Sequence, residues 1–308
     1  MQKVDVIIPV YKPGAELSML IDELEKQAFA PNKIIIINTE KRYFVENKSV
    51  VDTVAKYENV EVHHINKSEF DHGNTRNMGV HMSDAEFFLM ITQDAVPRDN
   101  MLISHLVRAL QDPKVAAAYG RQYPKADCNL AERYSRKFNY PTEGMRKTIK
   151  DLPKLGIKTF FCSNVCAMYR RDVFDEVGGF LQRAIFNEDM VYAGNAMYKG
   201  YAICYVPEAG VIHSHNYSYT QQFHRNFDLG VSQTDHPEIF SGIRSETEGK
   251  KMVRDTIRHF RHIGKFYLVP DYIIMCGFRF LGYKLGRKYK LLPKKLVVAF
   301  SMNKEYWK

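Results

Sequence analysis

The sequence predicts an α/β fold built on a largely parallel, Rossmann-like sheet with flanking helices, followed by a basic helical extension. Three observations carry this. Apolar runs of strand length recur with helix-length amphipathic segments between them. The runs stop at polar or turn-forming residues, as in FLMITQDAVP, where an apolar stretch meets Gln93-Asp94 before Pro97. The positive charge gathers at the end of the chain. Residues 244–308 hold 16 Lys or Arg against 5 Asp or Glu, whereas residues 1–243 hold 28 against 30.

The elements follow in order. VDVIIPV (4–10) reads as a buried strand, and Pro13-Gly14 opens a helix over LSMLIDELEKQ, whose apolar positions have helical spacing. KIIIINT (33–39) is a second strand, Thr53–Tyr57 belongs to a short helix, and VEVHHI (60–65) is a third strand. GNTRNMGVHMSDA (73–85) is a helix, and EFFLMITQDAVP is the fourth strand. Strands separated in this way form βαβ units, whose ligands lie at the carboxyl ends of the strands. Asp94 is at such an end, and VYKPG, NTEK and SEFDHGNTRN converge on the same edge. In the second half, a mostly apolar strand within FFCSNVCAMYR precedes Gly178-Gly179-Phe180. Glu188-Asp189 then starts the helix DMVYAGNAMYKG, and strand YAICYVP delivers His213-Ser214-His215.

Composition narrows the class. At 308 residues with 45% hydrophobic content, the chain suits one large α/β domain with an appendage, or two modest domains. MQKVDVIIPV turns polar at Tyr11-Lys12-Pro13, so a first strand is expected there and not a secretory signal. Five cysteines (Cys128, Cys162, Cys166, Cys204, Cys276) without CxxC spacing argue against zinc and disulfides and for buried thiols in a reducing cytoplasm. The tail reads as amphipathic helices suited to an anionic membrane surface or to packing on the main domain. It does not read as a span, because Pro270, Asp271 and Arg279 interrupt its longest apolar stretch. No nucleic-acid-reading motif occurs, and nucleic acid is not an expected partner.

GxGxxG and GxxxxGK[ST] are both absent, so neither a dinucleotide cradle nor a P-loop is available. A bound diphosphate would then need a divalent cation at Asp94, with Arg76 adding a fork of donors. Glu188-Asp189 could equally cap a helix, since acidic residues are favoured in a first turn. A His pair at i, i+2 on a strand end points both rings to one side. Tyr11 and Phe70 could be packing residues, and His72 and Arg76 loop stabilisers. Arg170-Arg171 and Lys294-Lys295 are expected to be solvated or lipid-facing. His63 and His64 form no constellation.

The succession VIIPVYKPG, FDHGNTRNMGV, FLMITQDAVP, VGGF with NEDMVYAGNAMYKGY, and HSHNYS resembles family 2 glycosyltransferases of the GT-A fold, and among them the bacterial rhamnosyltransferase branch. The resemblance spans about residues 3–230, and KLGRKYKLLP and SMNKEYW in the tail share it. It implies a GT-A nucleotide-diphospho-sugar transferase fold, with a mixed sheet over 1–240 (donor-binding 1–125, acceptor-binding and catalytic 126–240) and a basic amphipathic helical region over 241–308. Asp94 resembles the metal-binding Asp of a DxD motif, with Gln93 where relatives often carry another carboxylate, and Mg²⁺ or Mn²⁺ as the ion. His213 or His215 resembles the late histidine that completes the metal shell, His213 being favoured. Asp189 resembles the catalytic base, with Glu188 orienting or capping and Asn164 in a supporting or acceptor-side place. Pro9, Val10 and Tyr11 would pack on the nucleobase and ribose. Asn38, Glu40, Gln93 and Arg76 would complete the donor site. The implied activity is inverting transfer of L-rhamnose from dTDP-rhamnose to a glycan or lipid-linked oligosaccharide in cell-surface polysaccharide synthesis, at the inner face of the membrane. The alternatives are the same fold using a UDP-hexose or UDP-N-acetylhexosamine, and a non-catalytic sugar-nucleotide or membrane binder.

Overall fold

Runs of β-branched residues set the strands, and the polar residues that end them mark one edge of the sheet. The computed structural model describes residues 2–243 and 245–308; Met1 and Arg244, counted above in the first domain and in the basic tail, lie outside the described residues. Strands Val4–Tyr11 (β1), Lys33–Thr39 (β2), Val60–Ile65 (β3) and Phe87–Ile91 (β4) pair in parallel in the order β3-β2-β1-β4. Between them run helices Ala15–Glu25 (α1), Lys41–Val45 (α2), Lys48–Val54 (α3) and Asn74–His81 (α4). The expected Thr53–Tyr57 helix starts earlier and ends at Val54, because the Asn47 side chain accepts from Val50 N at 3.3 Å and caps it at Lys48. α4 stops at His81, short of the expected Ala85. There Ser83 Oγ turns to donate to the buried Asp5 Oδ2 at 2.6 Å and accepts from Ala85 N at 3.2 Å.

Beyond β4 the order is Val96–Pro97 (β5), Leu102–Ala109 (α5), Val115–Tyr123 (β6), Leu130–Asn139 (α6), Met145–Lys147 (β7), Leu152–Leu155 (α7), Cys166–Arg170 (β8), Arg171–Val177 (α8), Glu188–Tyr198 (α9) and Ala202–Ile212 (β9). The nine described strands form one mixed sheet, β3-β2-β1-β4-β8-β6-β9-β5, with β7 also on β9. β8 is antiparallel to both β4 and β6, and β9 is parallel to β6. The carboxyl ends of β1 to β4, β6 and β9 therefore share one edge with the amino end of β8. Helix α8 is an element the sequence reading lacked. Gly178, at φ 97, closes it in the left-handed conformation that glycine adopts without strain.

Strands β1, β2, β4 and β8 are covered on both faces, so they read as near-continuous apolar runs and do not alternate with polar residues. Ile34 and Ile36 pack with α1, α3 and α5 on one face, and Ile35 and Ile37 pack with α4, α8 and α9 on the other. Each such side chain contributes roughly 1.5–3 kcal/mol of apolar burial. Arg170 departs from the expected solvated position: it is buried and donates to the Leu110 and Asp112 carbonyls, while Arg171 donates to those of Val80 and Ser83. Both arginines add side-chain donors to carbonyls at the ends of α4 and α5. Lys294 and Lys295 are exposed, as expected.

After β9 the chain is helical: Tyr219–Asp235 (α10), Pro237–Phe240 (α11), Ser245–His262 (α12), Val269–Gly286 (α13) and Lys294–Phe300 (α14). α13 lies against α10 at backbone contact distance. A Cβ on Gly282 or Gly286 would fall on the Phe223 or Phe227 carbonyl oxygen, so only glycine permits this approach. No helix among the described residues is long and apolar enough to cross a membrane. All five cysteines are free, three of them buried.

Candidate active site

The shared sheet edge opens into a cavity of about 500 Å³. The turn after β4 contributes Asp94, the end of β6 Gln122, the loop before β8 Ser163 and Asn164, the first turn of α9 Glu188 and Asp189, the segment after β9 His213, His215 and Tyr217, and helix α10 Arg225. Residues from distant parts of the chain meet here because the parallel strands all end on one side.

His213 Nε2 and His215 Nε2 lie 3.5 and 3.4 Å from the same oxygen, Oδ2 of Asp94. The hydrogen-bond network determines which nitrogen of His213 carries the proton. Gln122 Oε1 already accepts from Arg136, so it faces His213 Nδ1, 3.0 Å away, as an acceptor, and Nδ1 carries the hydrogen. Nε2 then presents a lone pair towards Asp94. Burial first, and then the nearby Arg136 and His215, hold the His213 pKa well below its ordinary value, so the ring is neutral. His215 is lowered as well, chiefly by burial and against the pull of Asp94. The three groups offer ligand atoms within 4.8 Å of one another, and the lone pair of His213 Nε2 faces the Asp94 carboxylate, an arrangement that a cation between them relieves. The donor set fits a divalent metal, and Gln122 supplies the outer hydrogen bond that metal-ligating histidines use.

The second constellation is the acidic pair. Asp189 Oδ2 accepts from Asn164 N at 3.0 Å and Oδ1 from Met190 N at 2.8 Å. Glu188 Oε1 accepts from Asn164 Nδ2 at 3.0 Å and lies 3.4 Å from Arg76 Nε. Burial and then the Glu188 charge push the Asp189 pKa up to about 7, against the two backbone hydrogen bonds. Burial also pushes Glu188 up, but Arg76, His72 and the Asn164 amide outweigh it, so this carboxyl titrates below its ordinary range. Two adjacent carboxyls thus divide into an anion and a proton acceptor poised near neutrality. Tyr169 OH donates to Asn164 Oδ1 at 2.7 Å and fixes the amide between them.

The HGNTRN segment acts mainly as a clamp. Asn77 exchanges two hydrogen bonds with the Phe180 backbone, at 2.9 and 3.0 Å, and Asp71 accepts from Gly73, Asn74 and Ala184 N. These bonds tie α4 to the Gly178-Gly179-Phe180 turn that leads into Glu188. Arg76 sits beside Glu188 on the wall of the same cavity and donates to the His72 carbonyl at 2.6 Å.

Of the expected donor residues, Arg76 and Asp94 line this cavity, whereas Pro9, Val10, Tyr11, Asn38, Glu40 and Gln93 lie along the neighbouring strand ends. Gln93 exchanges hydrogen bonds of 3.0 Å with the Tyr11 backbone and laces β1 to the turn after β4. Tyr11 is partly exposed and packs edge-on against Tyr43, with Lys12 Nζ 4.9 Å from the Tyr43 ring centre. Val10 is in the core, so its side chain has no free face for a nucleobase, and Pro9 is half-buried beside it. Asn38 is buried, 2.9 Å from His64 Nδ1, and Glu40 Oε1 accepts from Lys67 N at 2.8 Å.

Sequence reasoning missed Gln122, Arg136, Tyr217 and Arg225. Arg225 stacks on Phe186, 4.6 Å from the ring centre, and has no carboxylate partner among the described residues. Tyr217 lies within HSHNYS beside His215, but no short motif marks Gln122, Arg136 or Arg225, because each is brought in by the packing of an element remote in sequence.

The family model described as glycosyl transferase family 2 matches residues 5–178. The O-antigen chain rhamnosyltransferase RfbN of Salmonella typhimurium is 37% identical over 309 residues, covering 99% of this chain and 96% of that protein. The O-antigen chain rhamnosyltransferase WbaN of Salmonella anatum is 36% identical, covering 98% and 95%. Among solved structures, the mannosyltransferase PcManGT of Pyrobaculum calidifontis, in complex with GDP-Man and Mn²⁺, superposes with a TM-score of 0.57 at 14% identity, covering 99% of this chain and 84% of that one. TarS of S. aureus gives 0.53 at 16% identity, covering 98% and 84%. These last two speak for the fold alone. With its mixed sheet, its motif order and more than a third of its residues shared with full-length relatives, the chain belongs to glycosyl transferase family 2 and is a glycosyltransferase of GT-A fold.

Proposed function

We propose that the protein is an inverting rhamnosyltransferase that moves L-rhamnose from dTDP-rhamnose onto a growing cell-surface glycan. The observation that carries the transfer chemistry is the meeting, in one cavity, of a buried Asp189 with a pKa near 7 and the Asp94-His213-His215 trio. The choice of sugar is supported by the printed names of the two long relatives.

In this reading Asp189 accepts the proton of an acceptor hydroxyl while that oxygen attacks the anomeric carbon. The new carbon–oxygen bond forms opposite the bond to the diphosphate, whose electron pair leaves with the nucleotide, so the configuration inverts. Glu188, held as an anion by Arg76, keeps Asp189 basic. Asn164 fixes the orientation of both carboxyls. Asp94, His213 and His215 would hold the divalent cation, and two nitrogens with one carboxylate favour Mn²⁺ over Mg²⁺, which prefers oxygen ligands. Bound there, the cation would neutralise charge on the departing diphosphate. Arg225 would add a second cation on the same side. Tyr11, Asn38 and Glu40, near the ends of β1 and β2, remain the proposed donor-side residues, and residues 1–125 and 126–240 the proposed donor and acceptor halves.

The tail is proposed to rest on the anionic inner face of a membrane. Phe266, Tyr267, Ile273, Ile274 and Leu281 are exposed there among the cations of the tail. The first experiment is a thermal-shift series with dTDP, UDP and GDP, each with Mn²⁺ or Mg²⁺. A shift needing both dTDP and metal, and lost in Asp94→Ala, supports this reading. A shift with UDP only would transfer it to a UDP-sugar donor, and silence with all three would overturn it.

A further inference from the structure

A second cavity, of about 820 Å³, lies among α10, α12 and α13. Its floor is apolar, made by Leu229, Val253, Ile257, Cys276 and Phe280, and Lys250, Arg254, Arg258, Arg261 and Arg279 also line it. No carboxylate is among its described lining residues. Asp255 bridges Arg254 at 3.2 Å and Arg258 at 3.3 Å, which leaves Lys250 and Arg261 without a carboxylate partner among the described residues. Asn226, Met252 and Arg279 line both this cavity and the one holding Asp189, so the two spaces adjoin.

We propose that this groove binds the lipid carrier of the acceptor, with the apolar chain along the floor and a phosphate-type head among the cations. The chemistry selects such an amphiphile. An apolar floor offers sugar hydroxyls nothing to bond, and five cations with a single bridging carboxylate, Asp255, leave a positive excess that a neutral lipid would not meet. Phe280 lines the groove and is exposed, so the mouth opens on the face proposed to meet the bilayer, from which a chain could enter. A head held at Arg279 would present the sugar attached to it directly to the Asp189 cavity. The role of the ligand as acceptor rests on the transferase reading above; the binding itself does not.

The test is a titration of the full-length protein in EDTA with farnesyl diphosphate, and separately with its two halves, farnesol and inorganic diphosphate. The whole probe should bind at least tenfold tighter than either half. Gly249→Leu separates groove occupancy from folding: Gly249 lines the groove, a Cβ there meets open space, and leucine favours the helix more than glycine does. This variant should lose at least tenfold in farnesyl diphosphate affinity with no loss of melting temperature. Arg258→Glu, at a side chain 72% exposed, should lose as much. Both should keep the dTDP and Mn²⁺ response of the wild type. Either half binding as tightly as the whole, or both variants binding it as the wild type does, would overturn the proposal. Loss of the nucleotide response in the wild type, with farnesyl diphosphate binding intact, would sink the transferase reading instead.

Discussion

Burial and the Glu188 charge raise Asp189 to about 7, and two outcomes follow from that one displacement. If Asp189 takes the acceptor's proton, kcat/KM should climb with pH through about 7 and then level off, because the base must be ionised to act. Asp189→Asn should lower transfer by about 10²- to 10⁴-fold, leave the dTDP and Mn²⁺ response intact and flatten that rise. Stability moves the other way. Asp189 titrates higher in the folded chain than its ordinary 3.8, so its contribution to stability is fully present below that pH and is lost as pH rises through about 7. An amide at this position does not titrate and has no such loss. The stability of Asp189→Asn, followed by thermal melting, should therefore gain on that of the wild type from pH 5 to pH 8, by roughly 1 kcal/mol or more at the upper end. A variant that loses stability relative to the wild type as pH rises would contradict the raised carboxyl. Asp94, His213 and Asp189 were legible because each ends or begins an element within a short motif. Gln122, Arg136 and Arg225 were not, since nothing next to them in sequence says that a strand end and two helices will face those motifs.

The elements explain why the HGNTRN segment is present although most of its side chains touch no reacting group. Asn77 bonds both backbone groups of Phe180, and Asp71 collects three amides, one of them from Ala184, so α4 holds the turn from which Glu188-Asp189 emerges. Asn77→Ala leaves two buried backbone groups unpaired and should destabilise the fold by about 2 kcal/mol in denaturant titrations, with a lowered kcat at unchanged nucleotide affinity. Unchanged stability would mean that water or Asn74 replaces the amide. The first three strands could be read with near-correct boundaries, because isoleucine and valine runs form strands wherever they are buried, whereas the expected fourth strand through Pro97 ends at Ile91 and β5, β6 and β7 were not read as strands of their own. The helix ends were less legible. Asn47 starts α3 early, and Ser83 ends α4 by reaching Asp5, a partner 78 positions away. Arg170 and Arg171 were misjudged as solvated for a related reason: charge alone does not reveal the buried carbonyls that will need donors.

At the scale of the whole molecule, the uneven charge becomes one basic, partly apolar face formed by the tail helices. Binding to vesicles rich in anionic lipid should be detectable by co-sedimentation, weaken sharply at about 1 M salt, where screening acts within about 3 Å, and fall further in Ile274→Glu/Leu281→Glu. Equal binding to neutral vesicles, or no effect of the double substitution, would leave the tail as a packing element. The glycine seam against α10 already gives α13 a structural role, and the apolar residues it leaves exposed are what the membrane reading accounts for. The sequence by itself determined the succession of the first four strands, the α/β class, the carboxylates and histidines of the candidate site and the basic character of the tail, because periodicity, turn chemistry and charge are local properties. Tertiary structure alone decided that β8 runs against its neighbours, that Gln122 orients His213, that Glu188 and Asp189 divide their protonation, and that α10, α12 and α13 enclose a groove beside the site. Each of these depends on which surfaces meet when apolar faces are buried, a choice made among residues far apart in sequence and visible only once the chain is packed.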